Sequence, residues 1–137
     1  MIKPEVIRKR LNRFDNYLKI LEKLQGYTQS DFIADPEHYG SAERFLHLSI
    51  ESLTDIGNHI IAEEELGTVN WYSDIPGILC DKGIINSELK EIWIKMIGFR
   101  NTLVHEYIDV DLDIVYDVLQ NGLEDLKAIK KNLAVYL

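Results

Sequence analysis

Four side chains in one short stretch could do chemistry together: Arg100, Asn101, His105 and Tyr107, within FRNTLVHEY at 99–107. A guanidinium keeps its proton inside a protein and can stabilise the extra negative charge of a phosphoryl transition state. An imidazole exchanges protons near neutral pH. An amide next to it can fix the orientation of the ring or of a phosphate oxygen. Each residue alone has a plainer role. Arg100 could be an internal ion pair with Glu51 or Asp55, His105 a satisfied polar group, and Tyr107 an amphipathic packing residue. Their combination within eight positions is less easily assigned to packing alone, and these residue types suit phosphoryl chemistry.

The helix that carries them sets a geometric problem. With Leu89 at zero and ~100° per residue, Ile92, Trp93, Met96, Ile97, Phe99, Leu103 and Val104 form one broad apolar face. Arg100 falls near ~20° and Tyr107 near ~0°, in the middle of that face, whereas Asn101 and His105 form a neighbouring row at ~120° and ~160°. Arg100 and His105 therefore diverge by ~140° on a straight helix. Either the arginine side chain wraps around the helix, or two protomers pack these faces together and share a cleft. A two-fold dimer also accounts for an apolar face wider than one small bundle needs.

The periodicity is helical almost throughout the chain. Pro4 suits a first turn, and Val6, Ile7, Leu11, Phe14, Leu18 and Leu21 continue a helix to about Gln25, where Gly26 can end it. Residues 27–40 read as a linker with one short helical turn. Asp35 before Pro36 opens a long helix to about Leu66, with Phe45, Leu48, Ser49, Ser52, Leu53, Ile56 and Ile60 toward one side and Gly67 as its stop. Ser73 or Asp74 opens a short helix ending near Gly83. Asn86 caps the 87–107 helix, and Asp109 or Asp111 opens a last one running nearly to the C-terminus. The expected fold is all-α: one domain over 1–137, an up-and-down bundle of four long helices and one or two short ones.

Composition limits the alternatives. A chain of 137 residues, 46% hydrophobic and 28% charged, can bury a core without disulfides or metals. The single cysteine, Cys80, excludes an intrachain disulfide and a multi-cysteine metal site, and reads as a small buried hydrophobe. No apolar run is long enough to span a bilayer and the start has no signal-peptide pattern, so no membrane association and a cytoplasmic address are expected. The net charge of −8 argues against a general nucleic-acid coat protein. The charge is uneven: residues 1–30 hold Lys3, Arg8, Lys9, Arg10, Arg13, Lys19 and Lys23 against Glu5, Asp15 and Glu22. This run is a solvated helix face or a face turned toward RNA or a partner.

Arg100, His105 and Tyr107 fit the pattern R-x4-H-x-Y. With Met96-Ile97-Gly98-Phe99 before it, the segment Ile56–Glu63 and the order of helices, the chain resembles the HepT-like branch of the HEPN superfamily. These are toxin partners of minimal nucleotidyltransferase (MNT-type) antitoxins. The resemblance covers nearly the whole chain. It implies a homodimeric HEPN-like bundle and a ribonuclease that needs no metal and no cofactor. In that scheme Arg100 holds the scissile phosphate, and His105 is acid or base in attack by the ribose 2′-hydroxyl, leaving 2′,3′-cyclic phosphate ends. Asn101 orients one of these groups. Tyr107 corresponds to the position that the antitoxin modifies with AMP. Asp55, Glu51, Asn58 and His59 are supporting candidates, each also readable as a solvated flank of the long helix. A different class of function is a non-catalytic, nucleotide-binding companion subunit of a nucleotidyltransferase, which suits the acidic charge. A blander third reading is a structural helical dimer in which Arg100 makes only an interface ion pair.

Overall fold

The computed structural model describes residues 2–105 and 110–137; Tyr107 and Asp109, with the end of the predicted 87–107 helix, lie outside the described residues. Its α-helices are α1 (Pro4–Leu24), α2 (Gln29–Ala34), α3 (Pro36–Glu63), α4 (Asp74–Asp81), α5 (Ser87–His105), α6 (Leu112–Asn121) and α7 (Leu123–Leu133), followed by a 3₁₀ turn, Ala134–Tyr136. No strand occurs among the described residues. Nor is any described helix long and apolar enough to cross a membrane.

Ser73 precedes α4 without a side-chain cap bond, but Asp35, Asn86 and Asp111, one of the two residues expected to open the last helix, each cap a helix. The Asp35 carboxylate accepts from the Glu37 N–H at 2.9 Å, Asn86 Oδ1 accepts from the Leu89 N–H at 2.8 Å, and Asp111 accepts from the N–H groups of Asp113 and Ile114. Each satisfies a donor that a helix start leaves unpaired. The linker turn is a six-residue helix, α2, whose Thr28 cap and buried Phe32 tie it to the core. The last predicted helix divides into α6 and α7 at Gly122, where an added Cβ would lie 2.7 Å from the Val118 carbonyl oxygen and 2.9 Å from Met96 Cε. The chain bends there against α5. A continuous apolar period does not register that contact.

Helix α3 ends at Glu63, short of Gly67, because a Schellman turn closes it first. The Leu66 N–H donates to the Ile61 carbonyl at 3.0 Å and the Glu65 N–H to the Ala62 carbonyl at 3.4 Å, with Glu65 left-handed at φ 52°. Helix α4 closes in the same way, but with Gly83 at φ 75° in the left-handed position. A side chain there costs energy that glycine does not. Glu65→Gly should therefore raise stability by up to about 1 kcal/mol in denaturant unfolding.

Helix α3 is the centre of the bundle and packs against each of the other six α-helices. That position changes its predicted face. Ser49, Leu53, Ile56 and Ile60 are buried as expected, but so are Ala42, Leu46, Ile50, Thr54, Gly57 and Ile61, while Phe45, Leu48 and Ser52 are only half-buried. Cys80 is half-buried against the core rather than enclosed. Helix α5 crosses α3 antiparallel, with Trp93 fully buried and its indole N–H donating to Thr54 Oγ1 at 3.2 Å; that hydroxyl in turn donates to the Ile50 carbonyl at 2.7 Å. Gly57 permits this close approach. A Cβ on it would stand 2.8 Å from Ile75 Cγ2 and 3.1 Å from Trp93 Cη2. Gly57→Val is expected to cost about 1–3 kcal/mol by overpacking, read from its thermal midpoint.

Candidate functional site

The antiparallel crossing of α3 and α5 brings together residues that are distant in sequence. Along α3, His47, Glu51 and Asp55 recur every fourth position and so share one face. Helix α5 supplies Arg100, Asn101 and His105, α1 supplies Arg10, and the segment before α4 supplies Trp71 and Tyr72.

Glu51 is the anchor. Its Oε2 accepts from Arg100 Nη2 at 3.0 Å and lies 2.6 Å from His47 Nε2. Of the two carboxylates that the sequence left open as partners for Arg100, Glu51 makes the pair. Asp55 instead pairs with Arg10 at 3.3 Å and accepts the Tyr72 hydroxyl at 3.3 Å. The Arg100 guanidinium also donates from Nη1 to Asn101 Oδ1 at 3.2 Å and lies 5.5 Å from the centroid of the Tyr72 ring, a cation–π distance. Its side chain is only 16% exposed, and Nε is buried with no hydrogen-bond partner among the described residues. The guanidinium is thus fixed, yet each Nη keeps a second N–H donor, which a tetrahedral oxyanion such as phosphate can satisfy.

This arrangement answers the helix-wheel problem in part. Asn101 and His105 stay in their predicted row and are exposed; with Trp71, Tyr72 and Ser73 they line a hollow of about 330 Å³. Arg100 leans toward that row through Asn101 and Tyr72, so within one chain the long side chain covers much of the angular gap. A second hollow of about 350 Å³, lined by Gly40, Glu43, Arg44, His47, Leu103 and Val104, lies on the other flank. Asn58 is exposed one turn beyond Asp55, and His59 accepts from the Lys3 backbone N–H at 3.4 Å, two turns from Glu51. His59 therefore belongs to the start of α1 rather than to the Arg100 cluster. Tyr107 lies outside the described residues.

Four members of the cluster were not singled out from the sequence. His47 had a signal, its four-residue spacing to Glu51 on one helix. Arg10 was visible only as part of the basic run. Tyr72 and Trp71 had none, because only the fold carries that segment to the end of α5. Among the described residues no group of three or more His, Cys, Asp or Glu is placed to hold a metal ion.

The two acids have opposite electrostatics. Burial would raise the Glu51 carboxyl, but hydrogen bonds and charge from Arg100 and His47 outweigh it, and the net shift is downward from the ordinary 4.5. Asp55 is raised above 3.8, first by burial and then by the nearby Glu51 charge, against the opposing pull of Arg10 and Tyr72. Burial, then the Asp55 and Glu51 charges, also raises the Tyr72 hydroxyl, which keeps it a donor. A carboxylate with a depressed folded pKa contributes stability above its unfolded value and loses it as pH falls through the folded one. Glu51→Gln should accordingly flatten the loss of thermal stability on acidification below about 4.5, whereas Asp55→Asn should not. Melts recorded across the acid range distinguish the two variants.

Comparison with known proteins fits this geometry. A family profile described as "Ribonuclease HepT-like" matches residues 14–133. The chain is 29% identical over 138 aligned positions to the tRNA nuclease HepT of Aphanizomenon flos-aquae, covering 99% of this chain and 92% of that protein. It is 38% identical over 77 residues to the mRNA nuclease HepT of Shewanella oneidensis, covering 56% of this chain and 58% of that relative's length. The tri-AMPylated Shewanella oneidensis HEPN toxin, solved in complex with MNT antitoxin, superimposes with a TM-score of 0.88 at 28% identity, over 95% of this chain and 97% of that one.

Proposed function

This chain belongs to the HepT-like ribonuclease family, and from that premise we propose that it is the toxin of a toxin–antitoxin pair and cleaves RNA through Arg100 and His105. The reading is supported most directly by the Arg100 guanidinium, fixed by Glu51, Asn101 and Tyr72 beside the hollow that Asn101 and His105 line.

Arg100 binds the scissile phosphate and stabilises the charge gathering on it. His105 exchanges the proton needed as the ribose 2′-oxygen bonds to phosphorus and the bond to the 5′-oxygen breaks. The 2′-hydroxyl proton leaves to a base, the departing 5′-oxygen gains one, and the products are a 2′,3′-cyclic phosphate and a 5′-hydroxyl. The nucleophile belongs to the RNA, so the reaction needs no metal. Asn101 orients Arg100 through the bond already formed between them. Phe99, Leu103 and Val104 are half-buried in the single chain and supply the apolar strip of a homodimer interface that brings a second Arg–His set to the cleft.

The partner is an MNT-type nucleotidyltransferase antitoxin that adds AMP to Tyr107. Tyr107 follows Arg100 by seven residues in the sequence, and AMP there adds bulk and negative charge that repel an RNA phosphate. Protein free of its partner should cut RNA in the presence of EDTA and leave cyclic phosphate ends, and His105→Ala should abolish the cut. Undiminished cleavage by that variant would sink the assignment. Intact mass after incubation with the antitoxin and ATP should show AMP additions that Tyr107→Phe lacks.

The Arg100–Glu51 pair also favours a second reading, in which this chain is a non-catalytic companion subunit and the arginine is structural. That reading requires partner-free protein to bind nucleotide and cut no RNA.

A further inference from the structure

We propose that Trp71 is a base-stacking residue, holding an unstacked nucleobase of single-stranded RNA beside Arg100 and His105. The proposal rests on the ribonuclease reading above. The chain has two tryptophans, used in opposite ways. Trp93 is fully buried in the core, whereas Trp71 is 74% exposed. A lone exposed apolar side chain is ordinary; the significance here lies in its position. Trp71 lines the same hollow as Asn101 and His105, and its neighbour Tyr72 lies against the Arg100 guanidinium.

The indole is also presented from a fixed backbone. Asp74 Oδ2 accepts from the N–H groups of both Asn70 and Trp71 at 3.0 Å, and the Asp74 N–H donates back to the Trp71 carbonyl at 2.9 Å. Tyr72 is held at its hydroxyl by Asp55 and at its carbonyl by the Ile75 N–H at 3.1 Å. Two consecutive aromatic residues are thus divided in function. Tyr72, 38% exposed, lies against the phosphate-binding arginine, and Trp71 offers a more open face.

Charge gives the stacking face its use. In a protein of net charge −8 the 15 lysines and arginines are outnumbered by 23 aspartates and glutamates, which weakens its hold on RNA phosphates. Stacking supplies affinity without cations, and every base offers a π-face. Recognition of splayed bases in single-stranded segments follows from the same chemistry.

The test uses the full chain free of antitoxin, a single-stranded RNA oligonucleotide as substrate, and its 2′-deoxy counterpart as an uncleavable ligand. Trp71→Ala should raise KM for the RNA by about 5- to 150-fold, the range of one base–aromatic stack, with kcat little changed. Trp71→Phe should restore most of the affinity. In the wild type, the 2′-deoxy oligonucleotide should quench the exposed tryptophan. The Trp71→Phe protein, emitting only from buried Trp93, should show no quench. If the wild type cleaves RNA and Trp71→Ala has an unchanged KM, the stacking proposal is overturned and the ribonuclease reading stands. Quenching through Trp71 without any RNA cleavage supports stacking and removes the ribonuclease reading. Neither quenching nor cleavage overturns both.

Discussion

Arg100→Ala should reduce the rate of RNA cleavage by about 10²–10³-fold, the usual loss when a preorganised charge-stabilising donor is removed. The geometry makes the effect large. The guanidinium has little freedom: Glu51, Asn101 and the Tyr72 ring hold three of its aspects, so it is oriented before substrate arrives. Most of the loss should fall on kcat, because the charge it meets develops in the transition state. Arg100→Lys should not restore the rate. An ammonium keeps the charge but cannot bond Glu51 and Asn101 while also presenting a planar donor edge. Single-turnover cleavage assays of the three proteins decide this, and a lysine variant as fast as wild type would remove the argument from guanidinium geometry. Thermal melts belong beside the rates, since removing Arg100 leaves Glu51 with His47 alone and a modest stability loss is expected.

The second large effect is structural. Trp93→Ala should destabilise the protein by about 3–5 kcal/mol, a substantial fraction of a typical domain's stability. Trp93 is fully buried at the α3–α5 crossing, and the approach of Gly57 beneath it leaves little slack for collapse around the cavity. Its loss also removes the indole donor to the buried Thr54 hydroxyl. The midpoint should fall by roughly 10–20 °C. Cleavage should weaken at warm temperatures well before it weakens in the cold, because α5 carries Arg100 and His105 only while it is docked on α3. Equal loss at all temperatures would mean that the site depends on Trp93 in some way other than through stability.

Much of this was legible in the order of residues. Local rules placed helix starts at Asp35, at Asn86 and at Asp109 or Asp111, of which Asp111 makes the cap, since a cap is satisfied within a few residues. The all-α class followed from the period of the apolar positions. The R-x4-H spacing singled out Arg100, Asn101 and His105, because all three are on one helix. Where a contact was non-local, the sequence left choices open or was silent. Glu51 and Asp55 were equivalent partners for Arg100 by spacing alone, and the crossing of α3 with α5 assigned the first to Arg100 and the second to Arg10. His59, one turn from Asp55, was carried off to the start of α1. The break at Gly122 and the wide burial of α3 came from packing on several sides at once, which no single helical period encodes.

What the sequence by itself determined is therefore the helical class, most helix starts and the chemical groups of the motif, all of them set within a turn or two of the chain. Only the tertiary structure decided which acid neutralises the arginine, that Tyr72 supports it, and that Trp71 stands open beside His105. Those pairings join residues tens of positions apart, and their energy is gained only when the helices are packed.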